Sequence, residues 1–409
     1  MEGVRLSLPK QYRDKLLNAI RNERISLALA RAIASYRSNV EKALAKHPHT
    51  EKLAEEVRKI KENAIGRMEE LVKQAMDSLA DNKASVYLAR TGEEALKIIG
   101  ELVGTGKTIV KSKSLTGEEI DLREFLEGQG NKVYETDLGE LIVQLLGVKP
   151  THIINPSVHV PKEDVAELLT KVIGEEVPPD ISKEVAVVRR FLRDKFIAAD
   201  VGMSGANVVA ADTGSLIVIE NEGNARLSTG LPPIHIALVG MEKVVPTFQE
   251  AMKVAEVTWR HATGPTPSYI NIISGPSKTA DIEKTITYGV HGPKELHVVF
   301  LDNGRTEAAK HPVFKEALYC LRCGGCLYEC PVFAITAGNF GDKYFGGIGA
   351  VWTAIVSGKI YGNLEGLARA ALVGYTCLTC GRCRVKCPVK INVPEMVIEL
   401  RRMAVEKFA

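Results

Sequence analysis

The feature that most limits what this chain can become is the placement of its cysteines. All eight lie between Cys320 and Cys387, and the first 319 residues contain none. Disulfide staples would be scattered. The opening stretch, MEGVRLSLPKQYRDKLLNAI, mixes charges without an apolar core, so no secretory signal is expected. Cysteines gathered in this way, in a chain expected to stay in a reducing compartment, read as metal ligands. The first run, CLRCGGCLYECPVF, holds Cys320, Cys323, Cys326 and Cys330; the second, CLTCGRCRVKCPVKI, holds Cys377, Cys380, Cys383 and Cys387. Both follow C-x2-C-x2-C-x3-C-P.

Three thiolates two residues apart can wrap a loop around one face of an iron–sulfur cubane, and Gly324, Gly325 and Gly381 let the backbone approach the sulfides closely. In two-cluster proteins of this pattern, the fourth cysteine of each run ligates the other cluster. The expected sets are therefore Cys320, Cys323, Cys326 and Cys387 for one [4Fe–4S] cluster, and Cys377, Cys380, Cys383 and Cys330 for the second. Zinc, the competing reading, prefers paired C-x2-C units in a tetrahedral set and has no use for a third cysteine at the same step followed by C-P. Arg322, Arg382, Arg384 and Lys386 sit in or beside the loops. Their charge either favours the reduced clusters and meets an acidic partner, or is simply solvated.

The 409 residues exceed one small core, so two or three units are expected. We divide them into an N-terminal helical segment (1–82), an α/β domain (83–305) and an α-helical two-cluster ferredoxin domain (306–409). In the first, EKLAEEVRKIKENAIGRMEELVKQAMDSLA places Leu53, Val57, Ile60, Ala64, Met68, Leu71 and Ala75 on one face, which predicts one long amphipathic helix. In the second, the strand-like runs KTIVKSK, NKVYETD and THIINP alternate with helices opening at Thr116, Asp137 and Pro161. This alternation predicts a mainly parallel sheet covered on both faces. ANVVAADTGSLIVIENEGNARLS reads as paired strands with turns at Thr213-Gly214 and Glu222-Gly223. HIALVG, YINIISG and ELHVVFLDNGR add strands, and the polar stretch 276–293 reads as an excursion off the sheet. In the third, AIVSGKIYG and NLEGLARAALVGY look helical.

Charge and hydropathy exclude some partners. The 53 basic and 50 acidic residues nearly balance, giving no reason to expect nucleic acid or an anionic membrane. No apolar run approaches the roughly 18 residues a membrane span needs. The expected location is cytoplasmic, at most peripheral to a membrane complex.

In α/β sheets of this kind, ligands bind at the carboxyl ends of the strands. That rule picks out Lys111, Ser112 and Lys113; Glu135, Thr136 and Asp137; and Asn155, Ser157 and His159. Asn207, in Gly205-Ala206-Asn207, and Thr213, in Thr213-Gly214-Ser215, sit in turns whose amides suit an anion. Glu222, Asn224 and Arg226 flank Gly223, and Arg226 could grip a carboxylate with two prongs. Glu222 or His159 could act as the base for a hydroxyl proton. Each has a plainer role available, as a turn, a helix cap or a structural histidine. No G-x-G-x-x-G follows the first strand and no Walker-type loop occurs, so a built-in nucleotide hydride site is not expected; the pattern leaves a flavin open.

Over roughly residues 60–400 the chain resembles the iron–sulfur subunit of the three-part L-lactate utilisation system. KSKSLTGEEI (111–120), YETDLGELIVQLLG (134–147), HIINPSVH (152–159), residues 202–247, ELHVVFLDNGR (295–305) and both cysteine runs carry the resemblance. It implies a lactate-utilisation (LUD) domain with a fold like that of CoA-transferases and sugar-phosphate isomerases. It also implies a part in oxidising L-lactate to pyruvate, as a subunit not active alone. Its companions would be a cysteine-rich subunit akin to heterodisulfide reductase and a LUD-only protein. Many bacterial members replace the first cysteine of the second run, whereas Cys377 is present here. They also run well beyond that point, whereas 22 residues follow Cys387, so their mode of partner docking is not carried over. Two other functions compete. One is a ferredoxin-like adaptor of a heterodisulfide-reductase-like complex, whose LUD domain only docks or binds another organic acid. The other is a self-sufficient enzyme on a CoA- or sugar-phosphate-like substrate.

Overall fold

The structure is a computed structural model that describes residues 9–357 and 363–408. The last part of AIVSGKIYG, residues 358–362, lies outside the described residues. Twelve strands follow one another along the chain: β1 Ser85–Ala89, β2 Thr108–Lys111, β3 Lys132–Glu135, β4 Val201–Ser204, β5 Val208–Ala210, β6 Ser215–Glu220, β7 Ile234–Gly240, β8 Val244–Val245, β9 Tyr269–Ile273, β10 Lys278–Thr279, β11 Thr287–Tyr288 and β12 Glu295–Leu301. The main sheet has the order β1-β12-β7-β4-β2-β3, and every neighbouring pair in it is parallel. It is mixed α/β architecture with helices on both faces, as the strand–helix alternation requires.

The two-residue period of the central strands sorts their side chains between these faces. Ile236 and Leu238 of β7, with Val299 and Leu301 of β12, join one apolar cluster with Ile99 and Leu126. Ala237, Val239, Val298 and Phe300 point the other way, into the largest cluster of the molecule. A second sheet, β8-β5-β6-β9, stands beside the first. Its β5–β6 hairpin turns at Gly214, whose φ of +61° and close approach to the Leu79 backbone leave no room for a Cβ. The polar excursion contains the small hairpin β10–β11.

Three local expectations change. The long amphipathic helix is two helices, His49–Gly66 and Met68–Asp81, broken at Arg67 (φ −123°). Gly66 weakens the helix there, and the break lets both apolar faces reach the same core. THIINP is an irregular loop rather than a strand: the His152 ring accepts the Ile154 and Asn155 amides at 3.0 and 3.1 Å, so they have no need of a ladder. After Gly223 the chain enters the helix Asn224–Gly230 instead of a paired strand.

The C-terminal part is helical, with Gly346–Val356, Leu364–Thr376 and Val393–Phe408 packed together. The largest apolar cluster runs from Leu29 through Leu71, Val239 and Phe300 to Trp352 and Leu400. N-terminal helices, sheet and cysteine-bearing helices thus share one core. Among the described residues, no helix is long and apolar enough to cross a membrane.

Candidate functional site

The two cysteine runs fold alike. Arg322 (φ 60°) and Gly324 (φ 76°) in the first occupy the positions of Thr379 (φ 50°) and Gly381 (φ 78°) in the second, all in the left-handed region. A short helix follows each glycine, Gly325–Tyr328 and Arg382–Lys386. This backbone turns amides toward sulfur: Thr379 N–H donates to Cys377 Sγ at 3.4 Å, and the Gly325, Arg384 and Ile391 amides act on Cys323, Cys383 and Cys387.

All eight cysteines are free thiols, and they line two adjoining cavities. One is lined by Cys320, Cys323, Cys326, Cys383 and Cys387; the other by Cys326, Cys330, Cys377, Cys380 and Cys383. Electrostatics separates the sulfurs further. Cys323 and Cys326 feel Cys320 and Cys387, with Cys383 a weaker influence on Cys326, whereas Cys330 and Cys383 feel Cys377 and Cys380. Burial, then the neighbouring sulfurs, push the Cys323 and Cys383 thiols up to about 12, and mainly burial takes Cys387 to about 11. Such a set is stable as thiolates only around a cationic centre. Among the described residues, no group of three or more His, Cys, Asp or Glu side chains is placed to hold a single metal ion. The sulfurs surround volumes rather than a point, and that donor set fits iron–sulfur clusters.

One N-terminal helix borders the first cavity. Tyr36, from the helix Glu23–Lys46, lines it and donates to the His261 carbonyl at 2.8 Å. Arg37 forms a two-pronged contact with Glu329 in the first loop, at 3.0 and 2.9 Å. On the other side a buried charge network ties this loop to the sheet. Arg305, after β12, bonds Glu119 at 2.6 Å and also Glu242, which follows β7. Glu242 in turn lies 3.5 Å from Arg322. The Arg322 guanidinium lies over the Trp352 ring at 3.7 Å and over Tyr344 at 4.3 Å.

At the carboxyl edge of the main sheet lies a cleft of about 310 Å³. Of the residues singled out from the sequence, Ser112, Lys113, Asp137, Asn155, Asn207, Glu222 and Asn224 line it together. Lys113 donates to the Ile154 carbonyl at 2.6 Å and lies 3.7 Å from Asp137; Asp137 caps the helix Leu138–Leu146. Partial burial and the Asp137 carboxylate push Glu222 up to about 7. Asn155 donates to the Tyr328 hydroxyl at 2.6 Å, joining the cleft to the first cysteine loop.

The other candidates lie elsewhere. Lys111 is buried between Glu135, at 2.8 Å, and Glu118, at 3.2 Å, and Glu135 keeps it protonated. Glu135 and His159 face a second cavity between the sheet and residues 337–345; His159 is 2.9 Å from the Thr151 hydroxyl. Arg226 lies flat over Tyr269 at 3.9 Å. Thr213 pairs with Ser215 in the hairpin turn at 2.8 Å.

Residues 72–301 match the LUD domain, and residues 316–391 match a 4Fe-4S dicluster domain. The chain is 34% identical to the lactate utilization protein B of Bacillus licheniformis, over 97% of this chain and 81% of that protein. The chain belongs to the lactate utilization protein B family. It is 33% identical to the Bacillus subtilis protein of that name, over 97% of this chain and 80% of that one. A protein of Escherichia coli named an uncharacterized electron transport protein, YkgF, is 31% identical over 97% and 81%.

Within the LUD match, the strand-end rule applied to HIALVG would have found Glu242 and Lys243, which sequence reasoning passed over. Lys243 and Trp259 line the cleft, and so does Arg322 from outside the LUD match. No sequence signal brings Arg322 there, because its burial depends on Trp352 and Glu242, far away along the chain.

Proposed function

We propose that this chain is the iron–sulfur subunit of a multi-subunit L-lactate-oxidising system, relaying electrons through two [4Fe–4S] clusters. Cys320, Cys323, Cys326 and Cys387 would hold one cluster; Cys377, Cys380, Cys383 and Cys330 would hold the other. The observation that carries this reading is the pair of adjoining sulfur-lined cavities, each combining cysteines from both runs. The family and the dicluster match support the lactate connection. When bound, such clusters accept and pass single electrons.

The chain's own residues set the ends of the path. The first cavity adjoins the LUD cleft through Arg322, which lines both. The second loop faces solvent, with Cys380 exposed and Leu378 and Val385 at 64% and 76% exposure. Electrons would enter from the cleft side and leave at the second loop. Glu222, which lines the cleft, is placed to take a hydroxyl proton; His159 and Arg226 do not line it. Companion subunits akin to heterodisulfide reductase and a LUD-only protein would supply the two-electron chemistry.

Anaerobic purification with the companions, followed by EPR with and without L-lactate, tests this. Lactate-dependent reduction of the cluster signals is expected. An unchanged spectrum with every combination of companions rules the lactate role out.

A further inference from the structure

The cleft carries more donors than the protein uses. Lys243 Nζ makes no hydrogen bond or ion pair among the described residues, and neither does the Ser112 hydroxyl. Asn207 spends its carbonyl oxygen on the Ile219 amide at 2.9 Å, which leaves its own NH2 unspent. Trp259, 8% exposed, lines the same wall with its indole N–H unpaired. The indole N–H is a buried donor without a partner, which is rare, and the Lys243, Ser112 and Asn207 donors line the same volume, so the cleft offers an acceptor more hydrogen bonds than the protein itself uses.

The acidic side chains at the cleft do not fill that need. Glu220 already accepts from the Ala225 and Arg226 amides and from Asn271, at 2.8, 2.9 and 2.7 Å. Asp137 is spent on the Glu140 amide at 3.0 Å and on Lys113. Glu222 contacts only the Leu138 amide, at 3.4 Å. The volume, about 310 Å³, sits at the small end of ligand pockets.

We infer that this cleft binds a small organic carboxylate through Lys243, Ser112 and Asn207, beside a wall that it shares with the first cysteine cavity. The shared wall is Arg322, which lines both volumes, while Lys243 is near enough to Cys320 to feel its charge. A carboxylate on Lys243 therefore changes the electrostatic environment of the first cavity more than that of the second. This site rests on the proposed lactate role for the identity of its ligand, not for its existence.

The test uses the full-length chain with its iron–sulfur content restored anaerobically, and calorimetry with pyruvate, L-lactate or inorganic phosphate. The carboxylates bind, and Lys243→Gln weakens them about tenfold or more, the loss expected for a charge-assisted hydrogen bond. Lys243→Arg, which keeps the charge, restores most of the affinity and controls for folding. In dithionite-reduced protein, pyruvate alters one of two cluster signals more than the other by EPR, and Lys243→Gln abolishes that change. Phosphate binding in place of the carboxylates, or carboxylate binding indifferent to Lys243, overturns the assignment. Lactate-driven cluster reduction with companions that is as fast in Lys243→Gln as in wild type also overturns it, while the proposed function survives. Pyruvate binding that depends on Lys243, without lactate-driven reduction, upholds the site and removes the lactate role.

Discussion

Replacing Cys387 by alanine probes the crosswise arrangement directly. By sequence Cys387 belongs to the second run, but its electrostatic neighbour is Cys320, and Cys323 and Cys326 both feel its charge. If four sulfurs serve each cavity, deleting one should empty a single cavity and leave the other with its full set. Iron content then falls from about eight to about four atoms per chain. The assay compares anaerobic preparations of Cys387→Ala, Cys320→Ala, Cys377→Ala and Cys330→Ala by iron analysis and by EPR after reduction. Cys387→Ala and Cys320→Ala should lose the same signal; Cys377→Ala and Cys330→Ala should lose the other. The reasoning is refuted if Cys387→Ala instead reproduces the spectrum of Cys377→Ala, because each run would then hold its own ligands.

Arg305→Met leaves Glu119 and Glu242 buried without their main partner, at a cost of about 3–5 kcal/mol; an unchanged urea midpoint by circular dichroism would contradict this. Partial burial and Asp137 raise Glu222 to about 7, with Lys113 opposing and Glu220 adding to the shift. Below that pH the side chain is neutral, and above it a second negative charge sits beside any bound carboxylate. Pyruvate affinity by calorimetry should therefore fall as pH rises through about 7, and Glu222→Gln should flatten the profile. Charge reversal at Arg384 and Lys386 should leave iron content intact. It should also slow electron transfer to an acidic flavodoxin several-fold at low ionic strength, an effect that disappears in high salt; equal rates in stopped-flow measurements would dismiss the second loop as the exit.

What could be read from the sequence was local. Cysteine spacing, the glycines that allow left-handed turns, the Thr213-Gly214 hairpin and the strands KTIV, KVYE and ELHVVFL all depend on near neighbours. The parallel sheet follows from their alternation with helices. What escaped depends on contacts between distant segments. THIINP has strand-like composition, yet the His152 ring stacks on Tyr328 at 4.3 Å and satisfies the local amides itself. Arg322 read as a loop charge, but Trp352 and Glu242 bury it. Lys111 ends β2 and Lys113 follows two residues later, equally plausible as ligand-binding residues; the position of Glu135 holds Lys111 in the interior, while Lys113 reaches the cleft. The same holds for Arg226, which Tyr269 takes out of the running for the cleft.

The core that runs from Leu29 to Leu400 makes the molecule a single block rather than a carrier with a hinged arm. If electrons pass between the cleft and the sulfur-lined cavities as proposed, the gap they cross is fixed when the chain folds rather than set by a swinging domain. Tunnelling rates fall steeply with separation. Loosening any one layer of that block would then slow the proposed relay as well as cost stability, even where no sulfur is touched.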